Sequence, residues 1–310
     1  MKSANSTVLP PVSTANWLRV ATTLRYAQRI PEVFRCRDLV EHWWTLTSGY
    51  VGLSPFVLPS DVRLKDGVEY RLEEFGDLET FWEIYLHSTY RVLPTDRVIV
   101  DAGANVGFFA CYAASRIPEA VVFALEPIPA SYDRLLEHVR RNGLTSRVHA
   151  FNVALGSCAG TMSMVSGGAS QNFCVVQAGE TPAAPSVRVE AVRLREFLKR
   201  IPAQTIDLLK MDIEGSEYDV LLSATKADLA RIRRIDLEYH KPPSVPGFSR
   251  QRLVDHLTAC GFRQTDHEGV GDYGKLYFAR AAMPSHAQAD MEAETAEPVR
   301  RVERDSARAH

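Results

Sequence analysis

The chain has 310 residues, 45% of them hydrophobic, and a formal net charge of −2. That length and apolar content suit one large domain with additions, and the near-neutral charge argues against a nucleic-acid partner or an anionic membrane held by bulk electrostatics. The five cysteines, at 36, 111, 158, 174 and 260, show no C-x-x-C spacing and read as reduced thiols, neither a disulfide framework nor a zinc site.

Met1-Lys2-Ser3-Ala4-Asn5-Ser6 lacks the basic-then-apolar layout of a signal peptide, and no apolar run approaches a membrane span, so the cytoplasm is expected. Residues 1–15 are rich in Ser, Thr and Pro and are expected to be a mobile N-terminus. A helical and short-strand extension is expected over 16–95. Apolar residues recur at helical spacing from Trp17 to Trp44, with an interruption expected at Pro31. Val57 to Leu72 reads as short strands around the turn Lys65-Asp66-Gly67, and Asp77 opens a helix running to about Tyr90.

From residue 96 to 280 the pattern is that of an α/β domain. Val98-Ile99-Val100-Asp101 is a β-branched strand ending in an acid. Gly103 and Gly107 follow in a turn, and Phe108 to Ser115 can wind as a helix. A strand, a glycine turn and a helix start make a nucleotide-binding corner. A pyrophosphate dinucleotide would want glycine at position 105, where Asn105 stands, and Asp101 would repel it. S-adenosylmethionine (SAM), with its sulfonium and ammonium charges, suits the acid better. The next strand, Ala120 to Leu125, ends in Glu126-Pro127, an acid about 20 residues past the glycine turn, where a ribose diol is held. Pro129 opens a helix to about Asn142-Gly143.

Arg147 to Leu155 reads as a third strand. Residues 156–195 turn to short alternating strands, a β insertion placed to wall a substrate pocket. Ile206 to Asp212 is the fourth strand and Arg234 to Tyr239 the fifth, with Arg231-Ile232-Arg233-Arg234 before it expected as a solvated face. Ser249 to Cys260 is a helix stopped by Gly261, and two last strands joined by a Gly-rich turn are antiparallel. The expected fold is a doubly wound, mostly parallel seven-stranded sheet of the class I methyltransferase type, Rossmann-like, with an antiparallel terminal hairpin. Residues 281–310 lack periodicity and read as a disordered tail.

The chemistry falls at strand ends. Asp212 closes the fourth strand and faces the ligand crevice, with Glu214 beyond it. Ser216 is expected to cap the following helix, with Glu217 and Asp219 as ordinary first-turn acids. Glu238 and His240 share one face of the fifth strand. Methyl transfer to an alcohol needs a base, and neutral His240, oriented by Asp212 or Glu238, is the expected one. A divalent cation gathered by Asp212 and Glu214 is a less favoured route, since the spacing is no recognised metal signature, and no metal ligand is assigned.

Asp101-Ala-Gly103-Ala-Asn105-Val-Gly107, Glu126-Pro127, Asn152-Val153-Ala154-Leu155-Gly156, Lys210-Met-Asp212-Ile-Glu214-Gly215-Ser-Glu217 and Glu238-Tyr-His240 together resemble the FkbM family of SAM-dependent methyltransferases over about residues 60–280. The helix from Asp77 to Ile84 resembles that family's lead-in segment. The resemblance implies O-methylation of a hydroxyl on a sugar, glycolipid or polyketide-like metabolite. It also implies Asp101, Gly103, Asn105 and Gly107 at the methionine end of SAM, Glu126 at the ribose, and Asn152 and Val153 near the adenine. Two alternatives stay open at this point, a non-catalytic SAM-binding module and a nicotinamide-dependent oxidoreductase.

Overall fold

The computed structural model describes residues 7–8, 30–51, 53–166, 173–175, 186–240 and 248–280. Most of the segment 1–15, the part of the helical reading over residues 17–29 and the tail 281–310 lie outside them.

The chain first builds β1 (Thr7–Val8), α1 (Ile30–Leu39), α2 (Trp43–Tyr50) and β2 (Val57–Leu58), followed by the hairpin β3 (Ser60–Arg63) and β4 (Glu69–Leu72). Pro31 is the second residue of α1 and does not interrupt it, because an early helical position has no N–H bond to lose. α3 (Phe75–Phe81) starts earlier than the acids suggested. Asp77 reaches back from inside it to the backbone N–H groups of Glu73 and Glu74, at 2.6 and 3.1 Å. It widens into a π-helical stretch, Trp82–His87, that ends at Ser88 in a left-handed conformation.

The core then follows as β5 (Val98–Ala102), α4 (Phe108–Arg116), β6 (Val121–Leu125), α5 (Pro129–Arg141) and β7 (Val148–Phe151). A short β8 (Ala154–Leu155) leads into β9 (Gly160–Ser166), β10 (Phe173–Val175) and β11 (Ser186–Val192). After α6 (Leu194–Arg200) come β12 (Ile206–Met211), α7 (Glu217–Ser223), α8 (Lys226–Leu229) and β13 (Ile232–Tyr239). The chain closes with α9 (Arg250–Ala259), β14 (Phe262–Val270) and β15 (Tyr273–Arg280).

Seven strands form the main sheet in the order β14-β15-β13-β12-β5-β6-β7, with β5, β6, β7, β12 and β13 parallel and the last two antiparallel. This is the expected doubly wound class I methyltransferase arrangement. The chain moves outward from β5 in one direction and restarts at β12 in the other. The C-terminal ends of β5 and β12 therefore flank a topological switch, where a crevice opens.

Period-two alternation splits the core between two faces. Ile99, Val122 and Leu208 pack with Phe108, Phe109, Tyr70 and Phe81 on one side. Val100, Phe123, Leu209 and Leu237 pack with Phe197, Tyr218 and Leu253 on the other. No helix among the described residues is long and apolar enough to cross a membrane.

Two strand readings change in the structure. The third strand is not continuous from 147 to 155, because β7 belongs to the main sheet while β8 pairs with β11 in a separate four-stranded sheet, β10-β9-β11-β8. The chain leaves the main sheet at Asn152, whose side-chain amide donates to the carbonyls of Glu126 at 2.8 Å and Pro127 at 3.0 Å. The basic cluster is a solvated face only in part, since Arg233 is exposed but Arg234 is not. β13 begins at Ile232, so Arg234 is a buried strand residue, 2% exposed, held by Asp96 at 2.6 Å and the carbonyl of Arg91 at 3.0 Å.

Candidate active site

The turn after β5 is shaped by contact with the strand beside it. Gly103 has φ of +76°, and a Cβ on it would lie 1.7 Å from the backbone oxygen of Asp212. Only glycine lets the ends of β5 and β12 come this close. Asn105 also takes a left-handed conformation, with φ of +49°, which turns its N–H toward Glu126.

Glu126 closes β6 and is buried. Its Oε2 accepts from the N–H of Asn105 and its Oε1 from the N–H of Ile128, both at 2.8 Å. Burial pushes its carboxyl up to about 7, against the pull of those two N–H groups. The bonds fix the carboxyl plane and tie the glycine turn to the end of β6.

Asp101 lies in parallel register with Lys210, and the two side chains meet inside the sheet, with Lys210 Nζ 3.1 Å from Asp101 Oδ1. Lys210 also donates to the carbonyl of Gly103 at 2.8 Å. Charge, more than an aligned hydrogen bond, holds the pair, since no donor is aligned on either Asp101 oxygen among the described residues. Burial would favour a neutral Lys210, but Asp101 and Asp212 outweigh it and hold its pKa above the ordinary range.

The acids at the ends of β12 and β13 converge on His240. Its Nδ1 is 3.1 Å from Glu217 Oε1 and its Nε2 is 3.3 Å from Glu214 Oε2. Burial alone would lower the pKa of His240. The Glu217 bond and the charges of Glu217, Asp212 and Glu214 outweigh it and raise the value to about 9. Glu214, in a left-handed conformation with φ of +54°, is raised to about 7 by burial and by Asp212, Glu217 and Glu238, against the pull of His240.

The partners orienting His240 are therefore Glu217 and Glu214, not the expected Asp212 or Glu238, and the ring is held on its protonated side. Glu217 is no ordinary first-turn acid: it is fully buried, and its Oε1 also accepts from the N–H of Ile213 at 3.0 Å. Ser216 makes no side-chain cap bond.

Two further residues complete the cluster. Tyr90 OH lies 3.4 Å from both Asp212 Oδ2 and Glu238 Oε2. Lys275 bonds Glu83 at 2.8 Å and sits 3.6 Å from Glu238. Asp212, Glu238 and His240 each bring a ligand-type atom within 4.8 Å of one another, but both ring nitrogens of His240 already face Glu214 and Glu217, so the ring has no lone pair left for a cation.

A cavity of about 450 Å³ opens over this crevice. Of the residues singled out in the sequence, Gly103, Asn105, Glu126, Val153, Asp212, Glu214, Glu238 and His240 line it. Asp101, Gly107 and Asn152 are not on its wall. Asp101 is the buried counter-ion of Lys210, Gly107 precedes the first turn of α4, and the Asn152 amide is bonded back onto the β6 end.

Lys210, Tyr90, Glu217 and Lys275 were not singled out as site residues. A lysine inside the buried run Leu208-Leu209-Lys210-Met211 was a signal of a paired internal charge. Tyr90 and Lys275 carried no local signal, because their partners are distant in sequence.

The chain matches the family model described as the methyltransferase FkbM domain over residues 101–264. Methyltransferase sdnD of Sordaria araneosa is 31% identical over 193 residues, covering 53% of this chain and 74% of that protein. AMB antimetabolite synthetase AmbE of Pseudomonas aeruginosa is 31% identical over 222 residues, covering 59% of this chain but only 10% of that much longer protein. The 31-O-demethyl-FK506 methyltransferase FkbM of Streptomyces tacrolimicus is 26% identical over 182 residues, covering 50% of this chain and 70% of that protein.

Proposed function

The chain belongs to the FkbM methyltransferase family, and from that membership we propose that it transfers the methyl group of SAM to a hydroxyl of a small-molecule acceptor such as a sugar, glycolipid or polyketide-like metabolite. Membership sets aside the oxidoreductase and the non-catalytic module. The observation that carries the finer reading is the shared cavity, whose wall includes Glu126 and the Gly103–Asn105 turn as well as the acids and histidine at the ends of β12 and β13.

Each part of that wall has a task in this reading. Each Glu126 oxygen accepts one backbone N–H and keeps a further lone pair for a ribose hydroxyl. The turn and the first N–H groups of α4 suit the carboxylate of the methionine end. Asp212, Glu214, Glu238 and His240 line the same cavity, and this supports a carboxylate among them taking the proton of an acceptor hydroxyl. An oxygen acceptor is further supported by the relative named for 31-O-demethyl-FK506.

Calorimetry with SAM tests the donor, and Glu126→Ala is expected to weaken binding at least about tenfold. Methyl-labelled SAM incubated with the protein and a fractionated extract of its source tests the acceptor. Absence of SAM binding, or label transferred only to nitrogen or carbon, would sink the reading.

A further inference from the structure

Resting on the methyl-transfer reading above, we infer that His240 works as a fixed imidazolium that positions the acid cluster, and that the Asp212 carboxylate receives the proton of the reacting hydroxyl.

Both ring nitrogens of His240 face a carboxylate. A neutral imidazole has one N–H and one lone pair, and an ionised carboxylate only accepts. With Nδ1 on Glu217 and Nε2 on Glu214, a neutral ring would aim its lone pair at a carboxylate oxygen. The doubly protonated ring donates to both. Moving the proton onto Glu214 would not free the ring, because Nε2 would then accept from that carboxyl. In either arrangement no nitrogen is open to an acceptor hydroxyl.

The surroundings agree from every side. Glu214 comes from the turn after β12, Glu217 from the start of α7, Asp212 from the end of β12 and Glu238 from β13, while Tyr273 of β15 presents its ring at right angles, 6.0 Å away. The nearby cation Lys275 is committed to Glu83 and Glu238. Tyr218 OH donates to the His240 carbonyl at 3.1 Å, which ties the backbone that carries the ring to α7.

Elimination then selects the base. Among the four carboxylates around the ring, Glu214 and Glu217 hold His240 and Glu238 faces Lys275. Asp212 has no cationic nitrogen within 4.0 Å among the described residues, and it lines the cavity. Its one polar side-chain contact is the long one from Tyr90. In the step that follows, the acceptor oxygen bonds to the methyl carbon as the carbon–sulfur bond breaks. The electron pair goes to sulfur, leaving a neutral thioether, and the hydroxyl proton goes to Asp212.

The test begins with protein labelled with ¹⁵N in histidine, with S-adenosylhomocysteine present. At pH 7.5 both His240 nitrogens are expected at protonated shifts, and Glu217→Gln is expected to lower the pKa of His240 by at least about one unit. An unprotonated Nε2 at that pH overturns the inference. The second arm uses an acceptor found by the labelled-methyl assay. Turnover is expected to stay flat from pH 7 to 8.5 and to fall at least about 100-fold in Asp212→Asn. A tenfold rise per pH unit, or full activity in Asp212→Asn, overturns the assignment of the base. Loss of SAM binding by calorimetry would instead sink the functional reading and leave the nuclear magnetic resonance result standing.

Discussion

Lys210 stands beside Asp101 on the neighbouring parallel strand, with Nζ 3.1 Å from Oδ1 and, in the other direction, 2.8 Å from the carbonyl of Gly103. One cation thus neutralises the acid that ends β5 and pins the turn that follows. Asp101 is fully buried, so its charge is spent on Lys210 and is not presented to the cavity.

Lys210→Met is therefore expected to lower stability by about 3–5 kcal/mol, because it strands a buried carboxylate. The double change Lys210→Met with Asp101→Leu should recover much of that loss. Urea unfolding of the wild type, both single variants and the double variant measures the coupling. A double variant as weak as the sum of the singles would show that the pair is not the source of the effect.

Gly103→Ala is expected to abolish measurable SAM binding and to destabilise the fold. The new methyl would sit 1.7 Å from the Asp212 carbonyl, so the β5 and β12 ends must part, at a φ of +76° that alanine resists. Gly143→Ala supplies the control. It shares a positive φ, +65°, but meets nothing within 4 Å, and should cost only about 1 kcal/mol with SAM affinity intact. Calorimetry on the two variants separates crowding from backbone strain.

What could be read in the sequence divides along the same line. The parallel strands, the Gly103 turn, and the placement of Glu126, Asp212, Glu238 and His240 at strand ends follow from local pattern, since alternation and turn residues fix which side and which end a residue occupies. The partners did not follow, because a pairing such as Tyr90 with Glu238 or Lys275 with Glu83 joins segments that only the folded sheet brings together. The same gap explains Arg234. A run of arginines looks solvated until Asp96, from far upstream, is seen beside it. It also explains Asn152, which fits a strand pattern but spends its amide on the Glu126 and Pro127 carbonyls and so ends β7.

Arg234→Leu should cost about 3–5 kcal/mol, measured by thermal or urea unfolding, since the change leaves Asp96 buried without its cation. Arg233→Leu, at an exposed neighbour paired with Asp207, should cost about 1 kcal/mol or less. Equal losses in the two variants would contradict the burial of Arg234.

The raised pKa of Glu126 carries a pH dependence with a defined sign. Its carboxyl is held near 7 in the folded chain, above the ordinary 4.5, so between those values the folded state binds more protons than the unfolded one. Stability from this group is present below about 4.5 and is lost as pH rises toward 7, by about 3 kcal/mol in all. In the proposed ribose site the hydroxyls would donate to the ionised form, so SAM affinity should move the opposite way and weaken as pH falls below about 7. Glu126→Gln should bind SAM more weakly and lack that slope, which calorimetry at pH 6, 7 and 8 would reveal. A slope that survives the substitution would assign the titration to another group.

Tyr90 comes from the segment before the matched domain, yet its hydroxyl lies between Asp212 and Glu238, and its ring is 5.3 Å from Lys210 Nζ and 5.7 Å from Lys275 Nζ. Tyr90→Phe keeps the ring against both cations and removes only the donor shared by the two carboxylates. Turnover should fall about 3- to 30-fold with the melting temperature nearly unchanged, because the long hydrogen bond to the proposed base Asp212 is lost while packing stays. Tyr90→Leu also removes the ring face and should cost about 1–3 kcal/mol of stability in addition. Comparing kcat and unfolding across the two variants separates the hydroxyl's effect on the acids from the ring's effect on the fold. Unaltered kcat in Tyr90→Phe would take the hydroxyl out of the chemistry and leave Tyr90 a packing residue.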